Sequence, residues 1–491
     1  MAGVVRRTWL GLAAAALVAV ALPGCTSSST SKSGTGPLTL TPCVTAGVSA
    51  RCGTLRVSGD QARVGPTIAV RVIVIPAAGT SRQPDPIVWF AGGPGDSAVD
   101  MIGRVRPLFG SVTDRDLVFI EQRGTGASNV TCPALPGLDD EAALHAAVTS
   151  CLHGLRVDLR NYSTAAFTDD VDQVLTALRY RTVDLVGISY GTTAEQVFLA
   201  RHPARVRTMT LLSGTLLTVP VFERMPAAAQ RALDGVFAEC AADPACHGVF
   251  PDLSAEWAAL WMSVSQQPWV VPADRSPSGE RLVLDADWVA GRVHELLLTA
   301  DTQADLPLVV HTLATATDRV AALLALTAAM PPSADTTGGR TQLLPLAVQC
   351  NEQWARRDPA RLAGAGGFEY RTDLAQARWW QYVCGLVPHT RTPGGAGQPT
   401  NSTVAVLALN GTLDPQDPPA NMAAAGSLWP NGVYLPVPGQ GHDIDNRSGA
   451  CEAQIIRAFI DRGTPDGLDT SCLHQLPSPT FPLTLQPLGG N

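Results

Sequence analysis

Lysine is nearly missing from this chain: across 491 residues there is one, Lys32, and the formal net charge is −8. A protein with no basic stripe cannot neutralise a run of phosphates, which argues against nucleic acid as a partner. Metal-type cysteine pairing is missing too. No two cysteines stand at the two-residue spacing of zinc sites, so neither a metal nor a cofactor is implied. No internal repeat is visible. The apolar run at residues 10–22 is too short for a comfortable membrane span. The length allows two to three domains, or one domain with a large insertion.

What the N-terminus does offer is an export signal. Arg6 and Arg7 make a charged start, residues 10–22 an apolar middle, and Leu22-Pro23-Gly24-Cys25 an ending that resembles a bacterial lipobox. On that reading residues 1–24 are removed, Cys25 receives lipid, and residues 26–40, rich in Ser, Thr and Gly, tether the rest of the chain to a membrane surface. The alternative is a plain secretory signal, by the general or the twin-arginine route, whose cysteine is coincidental. Either way the expected location is extracytoplasmic.

Cysteine count points to the same compartment. Setting Cys25 aside leaves ten: Cys43, Cys52, Cys132, Cys151, Cys240, Cys246, Cys350, Cys384, Cys451 and Cys472. Paired in chain order they close five short loops, as oxidative folding outside the cytoplasm allows. Each bridge would contribute about 2–4 kcal/mol by restricting the unfolded chain.

Along the chain, short apolar runs alternate with helical patterns. Residues 53–57 and 67–75 read as an opening hairpin. Strands follow at 87–90, 116–120, 183–186 and 206–212, with a helical pattern at 167–178. Strands of four to seven residues interleaved with helices imply βαβ units and a parallel sheet. Between 216 and 398 the rhythm changes to long Ala/Leu-rich amphipathic stretches, 222–240, 286–299 and 304–329, which read as a mainly helical cap. Strands return at 404–409 and 433–437, and a helix at 452–461 closes the fold. The expected layout is α/β: a core over 41–215, the cap insertion over 216–398, the rest of the core over 399–478, and a tail at 479–491.

Chemistry concentrates in the six residues GISYGT, Gly187 to Thr192. Ser189 sits between two glycines, after an apolar strand and before a helix, the context of a nucleophile elbow. A serine hydroxyl needs a base to take its proton, an acid to orient that base, and donors for the oxyanion. Asp414 follows the strand at 404–409 and His442 follows the strand at 433–437, both at strand C-terminal ends where such folds gather their functional groups. Asp417 is the rival acid. Asp414 is preferred because it lies nearer the strand end, and Asp443 reads as a loop-capping residue. The amide after the nucleophile, that of Tyr190, and Gly93 in Gly92-Gly93-Pro94-Gly95 are the candidate oxyanion donors.

Five motifs together resemble one family. AGGPG at 91–95, EQRGTGAS at 121–128, GISYGT at 187–192, GTLDP at 411–415 and GQGH at 439–442 are similar to those of the prolyl aminopeptidase-related α/β hydrolases, most of all their tripeptidyl aminopeptidase-like branch. The resemblance covers about 40–475 and is strongest in the core. It implies an α/β-hydrolase core with a helical cap, a Ser189–Asp414–His442 triad, and release of short N-terminal peptides. Two positions depart from the family pattern: Ala91 replaces a usual His or Pro, and Glu121 a usual Asp. Such exopeptidases hold the substrate's free α-amine with acidic residues near the cap, which here offers Glu352 and Glu223. Two other readings stand beside this one, an esterase or lipase acting on envelope lipids and a non-catalytic surface lipoprotein. A peptide or small ester as substrate, a lipid-anchored membrane association and a monomeric state complete the expectation.

Overall fold

β4 (Ile87–Phe90) and β5 (Leu117–Ile120) are buried at every position, so neither face of their sheet meets water. Strands covered on both faces read as continuous apolar runs, the mark of a parallel sheet between helices. The computed structural model describes residues 37–59, 67–110, 114–126, 135, 141–154, 158–276, 281–329, 344–358, 360–361, 368, 375–388, 398–444 and 447–485. Residues 35–491 form one compact unit. The export signal, Cys25, most of the tether and Cys132 lie outside the described residues.

The main sheet has nine strands in the order β1-β2-β3-β5-β4-β6-β7-β10-β11. β1 (Thr41–Thr45), β2 (Val48–Ser58) and β3 (Thr67–Ile75) form an antiparallel meander, joined antiparallel to β5. From β5 onward every pairing is parallel, through β4, β6 (Val183–Ile188), β7 (Val206–Leu212), β10 (Ala405–Gly411) and β11 (Gly432–Val437). The opening hairpin expected from sequence is thus three-stranded. Pro42 and Cys43 hid β1, which the Cys43–Cys52 disulfide staples to β2.

Alternation decides what each face packs against. Val88, Phe90, Val118 and Ile120 point to one side, onto Phe167, Val171 and Phe198 of the helices Thr164–Leu178 and Tyr190–Arg201. Ile87, Trp89, Leu117 and Phe119 point to the other, onto the helices Ile102–Phe109 and Gly449–Arg462. This is an α/β-hydrolase core with helices on both faces of a mostly parallel sheet.

The chain leaves the core after β7 and returns at β10. The intervening segment has its own hydrophobic cluster, centred on Leu233, Val236, Trp257, Leu260 and Val310. Val221–Ala242 is one helix, and 286–299 is realised as Ala286–Leu296. The single stretch expected at 304–329 is instead two helices, Leu306–Thr315 and Arg319–Ala329. Asp318 between them caps the second by accepting from the Ala321 amide. A two-stranded hairpin, β8 (Trp269–Val271) with β9 (Leu282–Leu284), adds strand to a segment that sequence presented as helical. Among the described residues no helix is long and apolar enough to cross a membrane.

Disulfides follow chain order at Cys43–Cys52, Cys240–Cys246, Cys350–Cys384 and Cys451–Cys472. Cys151 is also disulfide-bonded.

Candidate active site

Ser189 stands at φ 54°, ψ −126°, between the end of β6 and the first residue of the helix Tyr190–Arg201. A non-glycine residue in that region costs of order 1–3 kcal/mol and persists only where its surroundings hold it. They do so here. The Ser189 amide donates to Leu212 O on β7 at 3.0 Å, and its carbonyl accepts from the Thr192 amide and hydroxyl at 2.9 and 2.7 Å. Gly191 makes the turn feasible, because a Cβ there would lie 2.2 Å from Phe90 O. The Tyr190 amide opens the helix, among those that helix geometry leaves without an internal acceptor.

The strand order brings the other two candidates alongside. β6, β7, β10 and β11 are consecutive neighbours, so the loops after β6, β10 and β11 gather at one sheet edge. His442 Nδ1 lies 2.9 Å from Asp414 Oδ2, both buried. Asp414 Oδ1 meanwhile accepts from the amides of Gln416 and Asp417, each at 2.8 Å, which fixes its orientation. Ser213, directly after β7, donates from its hydroxyl to His442 O at 2.5 Å and so ties the histidine loop to the strand between the two sites. Gly441 lets that loop pass under the cap, since a Cβ there would sit 2.4 Å from Leu298 O. Among the described residues no hydrogen bond joins the Ser189 hydroxyl to the imidazole. Such bonds are often long before a substrate tightens them.

Charge around the imidazole is one-sided. Burial alone would lower its proton affinity, yet the charge and hydrogen bond of Asp414, with Asp417 and Asp443 behind them, outweigh burial and push it up to about 9. Asp443, expected to cap its own loop, makes two contacts outside it. Its amide donates to Leu298 O at 2.8 Å and its carboxylate pairs with Arg104 at 3.0 Å.

The glycine loop after β4 lies against the elbow. A Cβ on Gly92 would stand 3.4 Å from Ser189 Cβ, and Gly93, at φ 109°, shares a cavity with Ser189 and Tyr190. Glu121 has a plain structural use. It accepts from Ser97 Oγ at 2.6 Å and the Val99 amide at 3.1 Å, and also from Thr125 Oγ1, clamping the chain after the glycine loop. Its neighbour Gln122 donates to Tyr190 Oη at 3.1 Å, and Arg123 grips Asp170 with two bonds.

The cavity beside Ser189 measures about 100 Å³. One wall is apolar, with Leu216, Leu217, Val219, Phe222, Met225 and Trp380. Polar lining comes from Gln349, Gln353, Gln416, Arg356 and Asp417. The two carboxylates singled out from sequence are not in this lining. Glu352 is spent on Thr164, accepting from its amide at 2.9 Å and its hydroxyl at 2.6 Å. Glu223 accepts from the Asp358 amide at 2.5 Å and faces Arg361 at 3.6 Å in a separate surface hollow. Both lie on the segment between β7 and β10, and their side-chain direction was not legible in the sequence. The acidic residue that does line the cavity is Asp417, which the sequence offers as the rival acid. Its place three residues after Asp414, on the same strand-end loop, was the available signal.

Comparison with known proteins agrees with this architecture. Residues 85–278 match the family described as alpha/beta hydrolase fold, and residues 372–472 match TAP-like protein. No curated protein matches the chain. Similar solved structures include serine hydrolase CCSP0084 from Cycloclasticus zankles, at 12% identity and TM-score 0.33, covering 84% of this chain and 98% of that one. Proline iminopeptidase of Mycobacterium smegmatis is 14% identical, TM-score 0.35, covering 86% and 98%. An epoxide hydrolase from hot-environment metagenomes is 13% identical, TM-score 0.36, covering 84% and 97%. Likenesses this distant carry no argument about activity.

Proposed function

We propose that this chain, an α/β hydrolase with a TAP-like C-terminal segment, is an extracytoplasmic serine hydrolase that releases short peptides from the N-terminus of peptide substrates. Ser189 Oγ attacks the carbonyl while His442 takes its proton, and Asp414 orients the imidazole and stabilises the imidazolium. The amides of Tyr190 and Gly93 hold the oxyanion, a preorganised contribution of about 3–4 kcal/mol for each donor. His442 returns the proton to the leaving amine, and water then hydrolyses the acyl-enzyme.

The observation that carries the peptide reading is Gln349. It lines the cavity beside Ser189, and its buried Oε1 has no hydrogen-bond partner among the described residues. A buried acceptor left open costs about 1–3 kcal/mol, which a substrate N–H would recover and an ester oxygen would not. The TAP-like match, which spans Asp414 and His442, supports the same reading. An esterase is the second reading, favoured by the apolar wall of Leu216, Leu217, Phe222 and Met225, which suits an acyl chain.

The test compares the chain with its Ser189→Ala variant on three substrates: a free-amine tripeptidyl anilide, the same peptide N-acetylated, and a short-chain nitrophenyl ester. Serine-dependent cleavage of the free-amine anilide alone is the expected result. Turnover of the ester alone would replace the peptide reading with the esterase.

A further inference from the structure

Two carboxylates, not one, face the same nitrogen of His442. Asp414 Oδ2 lies 2.9 Å from Nδ1, and Asp417 Oδ2 lies 3.9 Å from it. Both aspartates are buried. Asp417 is held where it stands: its amide donates to Asp414 Oδ1 at 2.8 Å, and its carbonyl accepts from Asn410 Nδ2 at 2.7 Å. Its Oδ1 accepts from Thr215 Oγ1 and from Asn421 Nδ2 at 3.4 Å, and Asn421 in turn donates to Thr215 at 2.8 Å. This leaves Oδ2 turned toward the imidazole, in a residue that also lines the Ser189 cavity.

We propose that Asp417 is a positioning residue that sets, through His442, the pH at which Ser189 becomes nucleophilic. The inference rests on the serine-hydrolase reading above and is independent of whether the substrate is a peptide or an ester. An opposite charge within about 4–6 Å favours the charged form of a titrating group by one to three pH units. The 3.9 Å separation places Asp417 inside that range without a direct hydrogen bond, so its contribution is charge and not orientation.

The other groups around the imidazole do not duplicate it. Asp414 comes from the same loop and supplies the hydrogen bond. Asp443, next in chain to His442, is partly offset by Arg104 from the helix Ile102–Phe109, at 3.0 Å. The cap brings Leu298 O to the Asp443 amide, and β7 brings the Ser213 hydroxyl to His442 O, neither of them charged. Burial and the repulsion of Asp414, opposed by the pull of His442, raise the proton affinity of Asp417 itself to about 6. Asp417 thus gives up its proton at lower pH than His442, whose proton affinity is pushed up to about 9, and it carries its charge while the imidazole titrates.

The probe needs no known substrate. A fluorophosphonate reacts with an activated serine: an Oγ–P bond forms, the P–F bond breaks, fluoride leaves, and His442 accepts the hydroxyl proton. The rate of labelling at Ser189 is measured from pH 5 to 10 in the full chain. Its rise with pH reports the loss of the imidazole proton. In Asp417→Asn that rise moves to lower pH by about one unit or more, while Asp417→Glu stays close to the unsubstituted chain.

A limb that stays in place in Asp417→Asn, with labelling reduced equally at every pH, would mean a purely structural role and overturn the inference. A limb that shifts equally in Asp417→Glu would overturn it as well. Absence of labelling at Ser189 in the unsubstituted chain is a different result. It removes the serine-hydrolase reading itself, and the inference falls with it.

Discussion

Glu352 closes on Thr164 with both carboxylate oxygens, one on the amide at 2.9 Å and one on the hydroxyl at 2.6 Å. Thr164 is the first residue of the helix Thr164–Leu178, whose cap Ser163 accepts from the Ala166 amide. A carboxylate at a helix N-terminus satisfies an orphan donor and meets the positive end of the dipole. The Thr164 hydroxyl also reaches Tyr190 Oη at 2.8 Å, so the cap residue Glu352 is linked to the residue beside Ser189. Glu352→Gln is expected to lower stability by about 1–2 kcal/mol in urea unfolding. The ratio of free-amine to N-acetylated peptide turnover should not change. A collapse of that ratio at unchanged stability would return Glu352 to the role of amine reader.

Gln349→Ala tests the open acceptor in the cavity. Losing one neutral hydrogen bond to substrate corresponds to about 0.5–1.5 kcal/mol, a rise in KM of about two- to tenfold. Turnover number should hold, because the contact is distant in role from the reacting atoms. An equal loss on the nitrophenyl ester would show that the effect is general to the cavity.

The Cys350–Cys384 bridge joins the π-helical segment Pro345–Gln353 to the helix Ala375–Leu386 across 34 residues of chain. A loop of that length gives about 3–4 kcal/mol in the chain-entropy account. Gln349 and Gln353 lie on the bridged segment and Trp380 on the helix it meets, and all three line the cavity. Replacing both cysteines by serine should therefore lower the thermal transition and raise KM together. A drop in transition temperature with KM unaltered would separate the bridge from the site.

Glu195 is buried beneath the elbow, and neither of its carboxylate oxygens has a partner among the described residues. Burial pushes its carboxyl well above the usual range, so the folded protein holds this proton to higher pH than the unfolded chain does. The unfolded chain ionises near 4.5. Above that pH the unfolded state releases a proton that the folded state retains, so this residue's contribution to stability falls as pH rises. The slope is at most about 1.4 kcal/mol per pH unit for one proton. Glu195→Gln removes the titration, and its stability relative to the unsubstituted chain should improve between pH 5 and pH 8 in denaturant melts. Parallel pH dependence of the two proteins would show that Glu195 is not the titrating group.

The chain order Ser189, Asp414, His442 and the strands that end at each were readable from sequence. Short apolar runs bounded by glycine specify a buried parallel strand and its exit loop locally. The mostly parallel sheet followed for the same reason, because Ile87–Phe90 and Leu117–Ile120 have no polar face to give to water. Side-chain direction had no such local code. Whether Glu352 faces the cavity or a helix end depends on where Thr164, 188 residues earlier, is brought by packing. That Asp417 faces His442 depends on Thr215 and Asn421 holding it, a contact across two strand-end loops. Periodicity determined the scaffold, and only the tertiary structure decided which carboxylates meet the imidazole, because charge acts through space over a few ångströms and not along the chain.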